Sequence, residues 1–414
     1  MKQQDSKRHP DLSRVTFRTS DSAMPSPVVV VLLHPHLFHD ICAFQDGIHG
    51  DLLPLPSTHF DTRSCQLFDS TLRTSHPFLT HFHDAFAPWF ETHPHVQDTL
   101  RLLYCRPHLH SVVIAHAASY GQMSLLTHLA PQLPAHRLLL EMAAWHGQRR
   151  VVQFLVLGVG YTTCTSDAID GAARNGHLDV LRFLHMHTKA TCTTDAMDLA
   201  AMNGHLEVVQ FLQIERQEGC THWAIDTAAG NGHENVVRFL HSHGAPCTTD
   251  AMNRAARNGH LEVVRFLHTH RQEGCTTRAV EWAAMNGHLD VVQFLHLNRP
   301  EGCTTNAMDD AACFGHLNVV RFLHENRTEG CTTYAMNYAA TNGHLEVVRF
   351  LHEHRPEGCT TLALDQAYRN GHAKVVQFLR KHRPAPDVTK WSASLEQVCA
   401  GVMACGLAAL AVIY

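Results

Sequence analysis

Residues 110–383 predict an all-α solenoid of stacked helix–turn–helix repeats, and three observations carry that reading. The pair Gly-His recurs at Gly176, Gly204, Gly232, Gly259, Gly287, Gly315, Gly343 and Gly371, a step of 28 residues broken once by 27. Each copy joins an Ala-rich segment to an apolar one across that glycine. The stretch between copies, RQEGC, RPEGC or RTEGC in most of them, holds Gly, Pro and charge but no apolar run, and so reads as a short surface loop.

Two degenerate copies come first, AHAASYGQMSLLTHL around Gly121 and EMAAWHGQRRVVQFL around Gly147, which makes about ten repeats in all. In the copy TTDAMDLAAMNG the threonines can cap a helix, and Asp195 sits in its first turn, where the helix dipole favours an anion. Asn203-Gly204 then supplies a left-handed stop. In HLEVVQFLQ, Leu206, Val209 and Leu212 form one stripe, broadened by Val208 and Phe211. The small side of the first helix, Ala196, Met197, Ala200 and Ala201, cannot form a core by itself, so stacking on the next repeat must create it.

Outside the array, residues 1–33 hold Ser, Pro and charge and are expected to be disordered, and residues 34–109 are expected to form an irregular helical N-terminal cap. There Phe78, Phe82 and Phe86 make a helical stripe that Pro88 is expected to interrupt before Trp89 and Phe90. After the array, Pro384-Ala385-Pro386 opens a linker, 384–397. Residues 398–414 then carry no charge, and two readings stand for them: an apolar helix capping the last repeat, or a tail anchor in a membrane.

Composition narrows the function classes. The chain is 45% hydrophobic with a net charge of −5, which gives no basic footprint for nucleic acid. The fourteen cysteines follow no secretory leader, so free thiols in the cytoplasm are the expectation, with membrane association only through 398–414. Nucleophilic catalysis needs one converging constellation, whereas Ser, Cys, His and Asp here lie in ladders. No enzyme, cofactor, metal or small-molecule substrate is therefore expected.

The frame Ala200-Ala201-Met202-Asn203-Gly204-His205-Leu206-Glu207-Val208-Val209-Gln210-Phe211-Leu212 resembles the ankyrin repeat, whose pattern has A-A-x-x-G-H and an apolar second helix. The resemblance covers about two-thirds of the chain and recurs nearly intact eight times. It implies a non-catalytic scaffold that binds a protein. The family's period is about 33 residues; the shorter repeat here implies stunted or absent hairpin loops. The family's T-P-L-H aligns with Asp195-Ala196-Met197-Asp198 and with Asp250-Ala251-Met252-Asn253, so Thr193 or Thr194 must cap instead. A second, weaker resemblance, of residues 33–55 to an F-box-like segment, implies as an alternative a substrate adaptor of a ubiquitin ligase.

Cysteine and histidine are weighed first as chemistry. Cys164, Cys192, Cys220, Cys247, Cys275, Cys303, Cys331 and Cys359 recur once per repeat, at positions that stacking sets roughly 8–10 Å apart, too far for disulfides. They read as small buried residues. The Gly-His histidines open each second helix, where a neutral, hydrogen-bonded ring is favoured; a second set, His185, His241, His268, His296, His324 and His352, ends that helix, where a cationic ring is favoured. A zinc array in the ladders is disfavoured because the repeat has no Cys-x-x-Cys, and the spacing of a second candidate group, His76, His81, His83, His93 and His95, argues against convergence.

What the packing leaves free is visible by comparing copies. Three positions of the first helix, spaced i, i+4 and i+7, differ from repeat to repeat and share one face. They hold Trp223, Arg254, Arg257, Arg278, Trp282, Met285, Tyr334 and Tyr338 across repeats five to nine. Trp, Tyr and Arg are enriched in binding hot spots, so this face is where a protein partner is expected to dock. The opposite surface reads as solvating acid–base pairs: Asp179/Arg182, Glu262/Arg265 and Glu346/Arg349.

Overall fold

The computed structural model describes residues 77–382, except 94, 107–108, 134–137 and 162–163. The expectations for 1–33, for the first part of the cap, for the F-box-like segment, for the linker and for 398–414 lie outside the described residues. Among the described residues every regular element is a helix, and none is long and apolar enough to cross a membrane.

The chain divides into two compact bodies, one holding residues up to Ala117 with Ser124–Leu129, the other Ala118–Met123 with everything from Ala130 onward. In the first body a helix spans Pro77–Thr92 and runs through Pro88. The expected interruption does not occur: Pro88 faces outward, while Phe82 and Phe86 before it and Trp89 after it are buried. Proline removes one helical hydrogen bond, but apolar burial on both sides holds the axis together. Phe82 and Phe86 stack at 4.0 Å, and His116 lies edge-on to Phe82. His116 also bonds to His83 at 3.1 Å, and burial beside that second imidazole holds its pKa down at about 3.

In the second body the predicted repeats are present as helix pairs. The first helices span Leu138–Trp145, Ser166–Arg174, Thr194–Met202, His222–Gly230, Thr249–Arg257, Thr277–Met285, Asn306–Cys313, Thr333–Thr341 and Thr361–Arg369. The second helices include Leu206–Glu215, Leu261–His270 and Leu345–His354. Repeat two departs from this pattern, because its second helix, Arg149–Gln153, passes into a π-helical turn at Phe154–Gly158. The first of the degenerate copies, around Gly121, has its helices His110–Tyr120 and Met123–Leu129 shared between the two bodies.

First helices pack on first helices far more extensively than second helices do on second helices. The reason is steric: pairs such as Ala200-Ala201, Ala228-Ala229 and Ala255-Ala256 are fully buried, and with only a methyl group to accommodate, the backbones approach closely. From the second helix, Val208, Val209 and Leu212 complete the core, while Leu206 and Phe211 stay half-buried.

Three kinds of polar seam join neighbouring repeats. At the first, Asn175 Nδ2 and His177 Nε2 both donate to the carbonyl of Trp145, at 2.9 and 3.1 Å. Asn203 and His205 converge in the same way on the carbonyl of Arg174, and Asn258 and His260 on that of Gly230. Each imidazole lies against the glycine of the preceding repeat: a Cβ built on Gly259 (φ +77°) would meet His288 Nδ1 at 2.6 Å. Glycine is thus required twice over, by its left-handed backbone and by the ring above it. Desolvation lowers the pKa of His177, His205, His260 and His344, the neutral state the sequence predicts.

The second seam replaces the family's Thr and His. Thr193 Oγ1 caps its helix by accepting from Asp195 N–H at 3.1 Å, as Thr221, Thr248, Thr332 and Thr360 do in theirs. These threonines are also tied backward: Asp198 accepts from Thr221 N–H at 2.9 Å and from its hydroxyl at 2.5 Å, and Asp226 accepts the same two bonds from Thr248. Asn253 and Asn337 occupy the same position and accept from Thr276 and Thr360. Repeat seven carries Glu281 there; its longer side chain still reaches Thr304, at 3.3 and 2.8 Å, and the helix that follows begins later, at Asn306.

The third seam corrects the reading of the connecting stretch as a plain surface loop. Arg271 pairs with Glu273 at 2.7 Å while donating to the carbonyl of Ala245 in the previous repeat, and its side chain is only 14% exposed. In the RQEGC, RPEGC and RTEGC loops the Arg–Glu pair faces the preceding cysteine; Glu218 accepts from Cys192 N–H at 3.2 Å. Charge in this loop is an inter-repeat clip rather than a solvated tip.

Candidate functional site

With the seams accounted for, the side chains that recur are also the ones that are occupied. Burial pushes the thiols of Cys192, Cys220, Cys247, Cys275 and Cys331 up to about 11, so they stay protonated and unreactive at neutral pH. Among the described residues no three His, Cys, Asp or Glu side chains converge on a common point. Of the N-terminal histidine cluster, His83 is engaged with His116 and His93 with the carbonyl of Trp89.

The second histidine set packs between repeats. His185, His241, His268, His296, His324 and His352 each stand edge-on to the phenylalanine of the following repeat, at 5.4–5.7 Å. The Nδ1 atoms of the first five are buried without a hydrogen-bond partner among the described residues. For His241, desolvation followed by the Arg271 charge lowers the pKa, so a cationic ring is disfavoured there despite the helix C-terminus. At that position partial desolvation and the Arg271 charge outweigh the dipole, whereas His185 faces the Glu215 carboxylate at 3.8 Å.

The variable face of the first helices is positioned by these same seams. Its first position is outermost: Trp223 is 52% exposed and Tyr334 56%, with Arg278 exposed alongside. The second and third positions are partly covered, since the third position of one repeat lies against the second of the next. Gly171 lies under the ring of Trp145 in this way, and Gly230 under the Cβ of Arg254.

That offset brings together most of the residues predicted from sequence. The guanidinium of Arg254 lies over Trp223, 5.4 Å from the ring centre. Arg257 and Arg278 lie over Trp282, at 5.6 and 5.7 Å. Asp250 pairs with Arg254 at 3.6 Å. Met285 is half-buried on the same helix as Trp282. Two repeats on, Tyr334 and Tyr338 stack on each other with centres 5.5 Å apart, as a separate pair. Between them and Trp282 lies Asp310, whose carboxyl is pushed up by burial and by the charges of Asp309 and Glu281.

Three surface features are not legible from the comparison of copies. Arg174 lies over Trp145 at 5.4 Å, extending the cation–aromatic pattern upstream, and its signal was the offset between columns rather than any one column. Phe314, which stands where the other Gly-His repeats have Asn, is 53% exposed. On the second helices Leu157, Met186 and Ile214 occupy one column in repeats two to four and are 65%, 71% and 75% exposed. Leu157 and Met186 border a groove of about 570 Å³ lined also by Arg149, Phe183 and His187. The expected Asp179/Arg182 pair is not formed there, because Asp179 caps Val180 N–H at 2.9 Å and faces Arg149 at 4.0 Å. Glu262/Arg265 and Glu346/Arg349 are present, at 3.7 and 3.6 Å.

Family profiles agree with this architecture. A family profile described as ankyrin repeats in three copies matches residues 225–309 and 308–390, and one described as ankyrin repeats in many copies matches 169–213. Among solved structures, the crystal structure of the human ASB11 ankyrin repeat domain aligns at 16% identity with a TM-score of 0.38, covering 46% of this chain and 99% of that one. No curated protein sequence matches the chain. The helix pairs, the A-A-x-x-G-H frame and the two matching profiles agree: the chain belongs to the ankyrin repeat family, whose repeats serve as protein-interaction scaffolds and are generally non-enzymatic.

Proposed function

We propose that this chain is a non-catalytic scaffold whose partner protein docks across the first helices of repeats five to nine, on Trp223, Arg254, Arg257, Arg278, Trp282, Met285, Tyr334 and Tyr338. The observation that supports the reading is the indole of Trp223, half exposed with an arginine from the next repeat over its ring. A large aromatic that stacking does not bury contributes little to the fold, but it offers a partner extensive apolar area at low entropic cost. The recurring Cys, His, Asp and Thr side chains are engaged in seams, which leaves the non-recurring ones as the surface that distinguishes this array.

The test is affinity capture by the full chain and by Trp282→Ala combined with Arg254→Ala. Proteins held by the parent are expected to be lost from the double variant while its far-ultraviolet circular dichroism stays unchanged. Equal capture by the two moves the docking site off this face.

A further inference from the structure

Among the described residues many arginines of the array are matched to a carboxylate, although Arg174 over Trp145 and Arg321 over Phe350 are not. On the second helices Arg238 meets Glu234 at 2.6 Å and Arg265 meets Glu262 at 3.7 Å, and in the loops Arg271 meets Glu273 at 2.7 Å. On the variable face Arg254 meets Asp250 at 3.6 Å. Arg257 and Arg278 differ: both are exposed, and among the described residues neither has a carboxylate within 4.0 Å. Instead they flank one indole, Trp282, from two directions, Arg257 from repeat six and Arg278 from one turn earlier on the helix of Trp282 itself.

This is a preorganised arrangement. The ring restrains both guanidinium groups by cation–π attraction, and a guanidinium so held still presents N–H donors at its edge. The carbonyl of Arg257 is fixed by Asn286 Nδ2 at 2.7 Å, so the seam itself sets the base of that side chain. Two restrained cations without counter-charge beside an apolar plate match an anionic planar group next to an apolar one.

We infer that the partner contributes an acidic peptide segment, with an Asp or Glu carboxylate between Arg257 and Arg278 and an apolar side chain against Trp282. The inference rests on the docking face proposed above and specifies its chemistry. The carboxylate accepts charge-assisted hydrogen bonds from one or both guanidinium groups, and repeat five adds Trp223 as a second apolar plate. Arg254 already faces a carboxylate of this chain, Asp250 at 3.6 Å, and is assigned no part in holding the anion.

The experiment uses the full chain, with a random twelve-residue peptide library displayed on phage as the probe. It is panned on the parent, on Arg257→Gln with Arg278→Gln, and on Trp282→Ala, each first checked for an unchanged melting curve. The parent is expected to enrich peptides carrying Asp or Glu beside an apolar residue. As synthetic peptides these should bind the double-Gln variant at least tenfold more weakly and weaken further as salt rises. Enriched peptides without acidic residues that still depend on Trp282 overturn the inference and leave the docking face standing. Enrichment indifferent to all three substitutions, or none at all, overturns both. Replacing Glu by phosphotyrosine in the best peptide distinguishes the two sources of anion, and tighter binding of the phosphopeptide overturns the carboxylate assignment.

Discussion

The seams between repeats and the exposed face of the first helices use overlapping residue types to opposite ends. At the seams, His177, His205 and His260 meet the same kind of glycine and the same kind of carbonyl, one repeat apart. On the face, Trp223, Arg254 and Trp282 never recur in register, and each touches a different neighbour. Recurrence in a solenoid therefore marks the interface that every repeat must share, and divergence marks what the shared interface leaves unconstrained. Perturbing the two regions should separate stability from recognition.

The largest effect is expected at a seam glycine. Gly259→Ala places a Cβ on a backbone at φ +77° and within 2.6 Å of His288, so both strain and overlap act. A loss of about 2–5 kcal/mol in urea unfolding is expected. A smaller loss, with the imidazole found rotated away by NMR, would break the claim that ring and glycine are coupled. Asp226→Ala ranks next, because it removes the acceptor for both Thr248 N–H at 2.9 Å and its hydroxyl at 2.7 Å. About 1–3 kcal/mol should be lost, against little for Asp195→Ala on the exposed first turn.

A pH test sharpens the comparison within the seams. Burial raises Asp170 to about 6 from an ordinary 3.8, with hydrogen bonds from Thr193 opposing the shift. A carboxyl raised on folding contributes stability that is present below pH 4 and lost as pH climbs through 6. Asp170→Asn, which installs the residue found at Asn253 and Asn337, should gain on the parent between pH 4.5 and 7.5, by up to about 2 kcal/mol. The lowered histidines act in the other direction: His177, His205, His260 and His344 contribute stability that is present above about pH 6.5 and lost on acidification. The difference in melting point between parent and variant isolates the carboxyl from them. An offset that does not vary with pH would show that Asp170 ionises normally.

The smallest expected effect on folding belongs to the face. Trp223→Ala should change stability by only about 0.5 kcal/mol, while weakening any partner that uses the ring. A large loss of stability would mean that Trp223 packs as part of the core after all.

Much of this division was legible in the sequence. Gly-His at a fixed step, paired alanines and a threonine before each first helix give the helix pair and its stacking directly, because the physics behind each is local. What was not legible lies between repeats. Arg271 reads as a loop charge until its bond to Ala245, twenty-six residues earlier, is seen. Asp198 reads as a missing turn residue until Thr221 is found against it. Pro88 reads as a breaker because a local rule cannot weigh the burial of Phe86 and Trp89 around it. The apolar column Leu157, Met186 and Ile214 carries no periodic signal, because other repeats hold Ser242, Thr269, Glu325 or Glu353 at that position.

The matched seams also bear on how such an array can change length. The donors that one repeat sends back, Asn and His to a carbonyl and Thr to a carboxylate or amide, are in most repeats the same kinds that its successor sends to it. Excising or duplicating one complete period therefore brings together partners that already fit. Insertion and deletion in whole repeats are the changes this architecture accommodates most readily, and each would splice a different set of side chains into the exposed face while leaving the joints as they are.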